Sequence, residues 1–187
     1  NLTVEHLIKE LSKVKPDFVQ CDCKGHPGYA SYPTKVGVAS PGVVKDSLRI
    51  WGDATKQLGI PLVVHFSGIW DAVAVKNHPE WARINPPNNE KSNSPGEETD
   101  SVNREKNMIC PISKYTTDYM IKQMIEIIDN YDVDGFWVEG ENGACTPCYC
   151  DNCKELFLKK SGKKNVPMSK EEDGWNEWLE FQRHNFE

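Results

Sequence analysis

The spacing of hydrophobic positions along the chain changes several times, and each spacing predicts a different kind of element. Apolar residues recur every three or four positions over three long stretches, which is typical of helices with one buried face. These helical stretches follow Thr3, span Val43 to Leu58, and run from Thr116 or Thr117 to Tyr131. Short apolar runs between them predict strands at 17–22, 61–66 and 134–139, with a brief one at 108–110. Further helical stretches lie near 154–160 and 174–186.

Alternating helices and strands indicate right-handed parallel β-α units, and the Val-rich run at 61–66 is typical of a strand buried on both faces. A doubly wound sheet and a (β/α)8 barrel both fit this order. No Gly-x-Gly-x-x-Gly follows any strand, so a dinucleotide-binding fold lacks its phosphate-binding turn. A complete barrel needs about 250 residues. We therefore expect α/β architecture, a partial (β/α)8 TIM barrel forming a single domain over residues 1–187.

The segment 72–106 breaks the pattern, because Pro, Asn, Ser, Gly and charged residues replace the regular apolar spacing. We expect it to form one long loop, and loops of that length in compact domains are usually functional or mobile.

The composition of the chain narrows the classes of partner that it is expected to bind. The chain carries 22 Lys and Arg against 28 Asp and Glu, a net charge of −6, so nucleic acid is not an expected partner. No apolar run approaches the roughly 20 residues of a bilayer crossing, so no membrane association is expected. Nothing indicates an organic cofactor. The chain opens on Asn1 without a signal-like apolar stretch, which favours a mature form or an excised piece.

Glu139 ends the apolar strand Gly-Phe-Trp-Val, and active sites of barrels lie at the carboxyl ends of strands. Glycoside hydrolysis needs two carboxyl groups flanking the scissile bond, and Glu139 is the candidate for one of them. The alternative is an acid that only caps the next helix or pairs with a lysine. Glu141, two residues later, is the weaker candidate.

Polar and aromatic residues of the type that binds sugars gather near the predicted strand ends, because pyranose rings stack on aromatic faces and sugar hydroxyls bind polar side chains. The candidate substrate-binding residues are Lys24, His26, Tyr29, His65, Trp70, Trp137 and Glu141. A metal-dependent hydrolase is a further alternative, in which Asp22, His26 and His65 would be the ligands.

Four of the seven cysteines form the run Cys145-x-x-Cys148-x-Cys150-x-x-Cys153. Two pairs with a two-residue gap match the spacing of structural zinc sites, which use four thiolates and leave no open position. Cys110 is a fifth candidate, expected at the end of a neighbouring strand, and with Cys148, Cys150 and Cys153 it would join two adjacent loops. The alternative is a set of free thiols or a disulfide near the surface.

Three segments resemble the barrel of α-L-fucosidases, glycoside hydrolase family 29. Residues 17–35, with Lys-Gly-His-Pro-Gly-Tyr, are similar to the fucosidase strand and loop that read Lys-His-His-Asp-Gly-Phe. Residues 61–70 are similar to the next strand, and 131–140 resemble the strand that ends in the nucleophile. The resemblance implies the first half of a barrel, strands 2–4 with their helices. Gly25 replaces the first histidine and Glu139 replaces the aspartate, which brings the chain closer to fucosidase-like hypothetical glycosyl hydrolases.

The cysteines carry a second resemblance. Cys110 with Cys148-Tyr-Cys150-Asp-Asn-Cys153 is similar to the zinc site of family 42 β-galactosidases. That family implies a structural zinc and an acid/base role for Glu139, whereas the fucosidase resemblance implies a nucleophile.

Together these features predict a glycosidase that acts on a carbohydrate substrate, and the fucosidase resemblance implies a retaining, exo-acting and α-L-fucosidase-like enzyme that acts on a terminal sugar. Its second carboxylate is expected beyond Glu187, and the remainder of a barrel or a second copy of the chain is the expected partner. The rival from another class is a carbohydrate-binding or catalytically inactive barrel domain.

Overall fold

The computed structural model describes residues 2–86, 104–139 and 147–184. Within these ranges the helices are α1 (Val4–Val14), α2 (Ser47–Leu58), α3 (Ala72–Asn77), α4 (Ile121–Tyr131), α5 (Asp151–Ser161) and α6 (Trp175–His184). The strands are β1 (Val19–Lys24), β2 (Tyr29–Ala30), β3 (Val38–Ala39), β4 (Leu62–Ser67), β5 (Ala82–Ile84), β6 (Arg104–Ile109) and β7 (Gly135–Glu139). None of the described helices has the length and apolar character to cross a bilayer.

The chain divides into two compact units. The first comprises Asn1–Gly68 and Thr117–Glu139, and the second comprises Ile69–Thr116 and Gly140–Glu187. The expectation of one domain over 1–187 stays a prediction.

The first unit is built on a five-stranded sheet in the order β3-β2-β1-β4-β7. Strand β4 pairs in parallel with β1 on one side and with β7 on the other, so the three apolar runs form the parallel core that their order predicts. Strand β2 pairs with β1 in antiparallel fashion. Parallel neighbours end at the same edge of a sheet, and this edge carries Ser67 opposite Glu139.

Local signals explain where the helices of the first unit begin and end. The Thr3 side chain accepts a hydrogen bond from the backbone of His6, and Asp46 does the same for Arg49. Helix α2 ends at Gly59, whose φ of 65° suits glycine. The apolar faces of α2 and α4 pack on one face of the sheet, where Leu48 and Ile127 join the buried side chains of β1 and β4.

A bulge interrupts the pairing of β1 with β4. Asp22 pairs with His65, whereas Lys24 pairs with Phe66, so Cys23 is the additional residue on β1. As a consequence, Cys23 and Lys24 are both fully buried although they are adjacent in the chain.

The second unit corrects two expectations. The predicted long loop 72–106 contains α3 and β5 in its first part and the start of β6 at its end, while 87–103 lies outside the described residues. Strand β6 pairs antiparallel with β5 in a separate two-stranded sheet, so Cys110 does not follow a strand of the parallel sheet. Helix α3 has six residues, which is too short for a helical apolar period to show.

Candidate functional site

One row of residues crosses the three parallel strands of the first unit. Asp22 on β1 pairs with His65 on β4, and His65 pairs with Trp137 on β7. Side chains alternate between the two faces of a strand, and the neighbouring row holds Cys21, Val64 and Phe136 against the helices. The row of Asp22, His65 and Trp137 therefore lies on the opposite face, and Ser67 and Glu139 share that face two residues further along.

The side chains at this edge form one hydrogen-bonded group, which we call the carboxylate cluster: Asp22, His26, His65, Ser67 and Glu139. Both histidines contact the same oxygen of Glu139, with His65 Nε2 at 3.1 Å and His26 Nε2 at 3.2 Å from Oε2. On its other side His65 uses Nδ1 to bind Asp22 Oδ1, and His26 uses Nδ1 to contact Ser67 Oγ at 2.9 Å. The cluster thus links three strands through side chains alone.

The cluster is open to solvent to different degrees. The side chain of Glu139 is 45% exposed and that of His65 is 16% exposed. A partly exposed carboxylate with hydrogen-bond donors on one oxygen keeps its other oxygen available to a ligand. This arrangement suits a group that reacts with a substrate.

Hydrogen bonds to the backbone carbonyls of Glu139 and Ser67 help to fix the strand ends that carry the carboxylate cluster. The N–H of Gly68 donates to the carbonyl of Glu139 at 2.8 Å, and a Cβ on Gly68 would lie 2.8 Å from that same carbonyl oxygen. The close approach of the backbone at Gly68 to the backbone at Glu139 therefore requires glycine at position 68. Lys24 Nζ donates to the carbonyl of Ser67 at 2.8 Å and lies 4.7 Å from the centre of the Phe66 ring.

The structure brings together three of the predicted site residues, Glu139, His26 and His65. Lys24 is fully buried, so its ammonium supports Ser67 and is closed to solvent. Trp137 is in the same row as His65 with 59% of its surface exposed. Tyr29 lies on β2 and, within the described residues, makes no hydrogen bond to the cluster.

Two predicted residues are not among the described residues of the first unit. Trp70 belongs to the second unit, where its backbone forms an antiparallel bridge with Met108. Glu141 lies outside the described residues.

The sequence analysis named Asp22 only as a ligand of the metal-dependent alternative, and it did not include Ser67 among the candidate residues. Asp22 lies at one of two exposed positions of β1, with Gln20 as the other, and it faces His65 because of the β1–β4 register. The alternation of β1 could show that Asp22 is exposed, but not which residue of β4 it meets.

The metal-dependent alternative is not supported by the arrangement of Asp22, His26 and His65. Both ring nitrogens of His65 already bind carboxylate oxygens, one from Asp22 and one from Glu139. Among the described residues, the one group of side chains that could hold a metal ion, with all ligand atoms within 4.8 Å of one another, is made of cysteines.

That group, which we call the thiol cluster, consists of Cys110, Cys148, Cys150 and Cys153 in the second unit. All four sulfur atoms lie within 4.8 Å of one another, and Cys110 Sγ lies 3.7 Å from that of Cys150 and 3.5 Å from that of Cys153. A tetrahedron with zinc–sulfur bonds of ~2.3 Å has edges of about 3.8 Å. The spacing of the four thiols thus fits one tetrahedral ion. Cys145 lies outside the described residues.

The thiol cluster is closed. Cys110, Cys148 and Cys153 are buried, and Cys150 is half-buried at the start of α5. Hydrogen bonding from Cys110 lowers the pKa of Cys150 and that of Cys148, whereas hydrogen bonds from Cys110 and Cys148 raise the pKa of Cys153. Hydrogen bonding from Cys148 also raises the pKa of Cys110, so the shared hydrogen bonds favour the thiolate at Cys148 and Cys150 and the thiol at Cys110 and Cys153.

Aromatic side chains enclose the thiol cluster. Trp178 packs against Phe157 with a ring separation of 4.8 Å and against Tyr149 with 5.6 Å, and all three are buried. The Tyr149 hydroxyl donates to the carbonyl of Pro167 at 2.9 Å. The thiols therefore occupy the centre of a small core that joins α5 and α6 to the end of β6.

Cys21 and Cys23 serve a different purpose. Both are part of the core between the sheet and its helices, and burial raises the pKa of Cys21 to about 12. These two thiols stay protonated and behave as small apolar side chains.

The match to a protein family and the matches to solved structures agree with each other. A family model described as hypothetical glycosyl hydrolase 6 matches residues 3–140, more than half of the chain. No curated protein matches the chain significantly in sequence.

Among solved structures, α-L-fucosidase isoenzyme 2 from Paenibacillus thiaminolyticus superposes with a TM-score of 0.69 at 18% identity, over 100% of this chain and 26% of that one. A hypothetical protein from Ruminiclostridium thermocellum gives a TM-score of 0.52 at 16% identity, over 97% of this chain and 84% of that one. An α-fucosidase from Thermotoga maritima, solved with a mechanism-based inhibitor, gives 0.50 at 22% identity, over 73% of this chain and 28% of that one. The chain thus spans little more than a quarter of either fucosidase.

These comparisons confirm the fucosidase resemblance and the fold class. The parallel sheet with its helices resembles part of a fucosidase TIM-barrel domain, and the described strands do not close a barrel. The resemblance of the cysteines to family 42 stays a prediction.

Proposed function

The chain belongs to the hypothetical glycosyl hydrolase 6 family, and from that premise we propose that it is the glycosidase predicted from its sequence, with Glu139 as its catalytic carboxylate. The observation that carries the proposal is the contact of two histidines with one oxygen of Glu139 at the carboxyl edge of a parallel sheet. Barrel enzymes place their reacting groups at this edge.

We assign Glu139 the role of nucleophile in a retaining reaction. With Oε2 held by His26 and His65, Oε1 is the oxygen that attacks the anomeric carbon. The new bond joins Oε1 to that carbon while the glycosidic bond breaks, and its electron pair leaves with the departing oxygen. A second carboxyl group, which retaining enzymes hold about 5 to 5.5 Å away, protonates that oxygen and then activates water. We place this second group outside the described residues.

Binding of the sugar follows from the surroundings of Glu139. His26 is half exposed beside the carboxylate, so it is placed to contact a sugar hydroxyl, and exposed Trp137 offers an aromatic face in the same row as His65. Tyr29, Trp70 and Glu141 remain proposed contacts on the strength of their place in the sequence. The fucosidase neighbours favour a terminal α-L-fucoside or a similar sugar as substrate.

The thiol cluster we assign to one structural zinc ion. Cys110, Cys148, Cys150 and Cys153 would complete its tetrahedron, so no position is open to substrate or water. When bound, zinc would hold the core around Trp178 together and take no part in hydrolysis.

Substitution of Glu139 by glutamine in the full-length protein tests the catalytic assignment. Glutamine keeps the size of the side chain but loses the charge, so turnover of aryl glycosides, aryl α-L-fucosides among them, is expected to fall by several orders of magnitude with an unchanged melting temperature. Glu5→Gln, on the exposed surface of α1, is the matched control and should keep full activity. Equal turnover in Glu139→Gln and wild type would remove Glu139 from the mechanism.

A Glu139→Gly variant separates the two roles that the resemblances imply. Added azide should restore turnover and yield a glycosyl azide of inverted configuration if Glu139 is the nucleophile. An azide product of retained configuration would assign it the acid/base role. Sugar binding by wild type without turnover of any aryl glycoside would favour the carbohydrate-binding rival.

A further inference from the structure

His65 lies between two carboxylates, and this position determines which of its nitrogens carries hydrogen. Its Nδ1 contacts Asp22 Oδ1, and an ionised carboxylate only accepts hydrogen bonds. Nδ1 must therefore be the protonated nitrogen. The Asp22 side chain is 69% exposed, so water also solvates its carboxylate.

The same assignment constrains the contact with Glu139. A neutral imidazole with hydrogen on Nδ1 has a lone pair on Nε2, and Nε2 lies 3.1 Å from Glu139 Oε2. Two acceptors at that distance repel unless a proton lies between them. The pair formed by His65 Nε2 and Glu139 Oε2 therefore holds one proton, whichever atom carries it.

His26 differs from His65 in this respect. Its Nδ1 faces the hydroxyl of Ser67 at 2.9 Å, and a hydroxyl can donate as well as accept. Neutral His26 can therefore accept from Ser67 at Nδ1 and donate from Nε2 to Glu139, at 3.2 Å, without an added proton. Among the described contacts, it is therefore the contact of His65 with Glu139 that requires an added proton.

We propose that Asp22 is a positioning residue, which holds His65 in the Nδ1–H form so that His65 and Glu139 share one proton. This inference deepens the proposed function and rests on it for its consequence in catalysis. Within the described residues, the Asp22 side chain contacts the carboxylate cluster only through His65.

The shared proton affects the two halves of a retaining reaction unequally. When Oε1 bonds to the sugar, Oε2 becomes the carbonyl oxygen of an ester and the shared proton stays on His65 Nε2, paired through Nδ1 with Asp22. When water displaces the sugar, the electron pair of the Oε1–carbon bond returns to the carboxylate, and the His65 Nε2–H stabilises the charge that reappears on Oε2. Asp22 should therefore assist chiefly the second step, release of the sugar.

Nitrogen NMR of the full chain tests the protonation pattern without any need for activity. The His65 signals are identified by their loss in His65→Gln. In the wild type Nδ1 should be protonated, and in Asp22→Asn the amide can donate to Nδ1, so His65 should change to the neutral Nε2–H form. Asp17→Asn, an exposed aspartate just before β1, is the matched control and should leave the His65 signals unchanged. A wild type with unprotonated Nδ1, or signals that Asp22→Asn does not move, would overturn the proposal.

Kinetics with aryl glycosides test the consequence. Loss of a carboxylate partner behind a metal-ligating histidine typically costs about 10- to 100-fold, and by analogy we expect kcat of Asp22→Asn to fall by that factor. Because the glycosyl-enzyme would accumulate, KM should fall with it and a burst of aryl alcohol should appear. A fall in kcat with raised KM and no burst would overturn the positioning role. If the NMR pattern holds and the wild type hydrolyses no aryl glycoside, the proposed function fails and the protonation pattern stands.

Discussion

The carboxylate cluster and the thiol cluster differ in almost every physical respect. In the first, charged side chains lie at an open sheet edge, and Glu139 has 45% of its side chain exposed. In the second, three of the four thiols are buried and aromatic rings surround them. An open polar group can meet a ligand and change its charge, whereas a closed group of four ligands can only hold chain segments together. The comparison predicts that damage to the first affects chemistry and damage to the second affects folding.

Substitution of Cys153 by alanine should have the largest effect on stability. It removes one of four proposed zinc ligands from the centre of the core that Phe157 and Trp178 form, and binding of a structural metal is itself part of the folding energy. We expect metal analysis to fall from one zinc per chain to none, and the tryptophan emission of the variant to shift to the red.

Cys21→Ala is the matched control, since it removes a buried thiol of the first unit and should leave the zinc content at one. If Cys153→Ala and wild type carry equal amounts of zinc, or neither carries any, the structural-zinc assignment is wrong.

Substitution of Gly68 by alanine tests the carboxylate cluster without altering any of its side chains. The added Cβ would lie 2.8 Å from the Glu139 carbonyl oxygen and 2.9 Å from Val138 Cγ1, so β7 must shift. A displacement of ~1 Å at a reacting group costs about 10²-fold in rate. We expect kcat/KM for aryl glycosides to fall by that order.

Gly42→Ala, where a Cβ meets nothing within 4 Å, should keep full activity. Wild-type rates in Gly68→Ala would mean that the position of Glu139 does not limit the reaction.

Substitution of Lys24 by methionine should give the smallest effect, and it shows how far the carboxylate cluster also stabilises the fold. The change keeps the apolar stem of a fully buried side chain but removes the hydrogen bond that Lys24 donates to the Ser67 carbonyl. A buried acceptor that loses its partner costs about 1 to 3 kcal/mol. Urea unfolding should show that loss.

Lys9→Met, on the exposed surface of α1, should change the unfolding midpoint little. A variant of Lys24 as stable as the wild type would show that its hydrogen bond contributes nothing net.

Much of the first unit could be predicted from local pattern. The three strands β1, β4 and β7 and the helices between them follow the expected order, because each is long enough for its apolar period to show. Helix α3 and strand β5 were missed, since six and three residues carry no readable period. The local pattern also could not predict that Lys24 is buried, because a bulge displaces it from the alternation of its strand.

The candidate sites show the same division. The Cys-x-Cys-x-x-Cys spacing predicted a thiol group directly, since three of the four thiols are neighbours in the chain. Glu139, His26 and His65 were identified as strand-end residues of suitable chemistry, but not as a hydrogen-bonded group.

The amino-acid sequence alone determined the start of α1 after Thr3 and the end of α2 at Gly59, the three apolar strands of the parallel sheet, and the kinds of side chain at their carboxyl ends. Only the tertiary structure decided that Asp22 meets His65 across 43 residues of chain and that His65 meets Glu139 across 74. The reason is physical: strand register arises from hydrogen bonds and packing between segments far apart in the chain, and no local preference of either segment specifies which of its residues will face which.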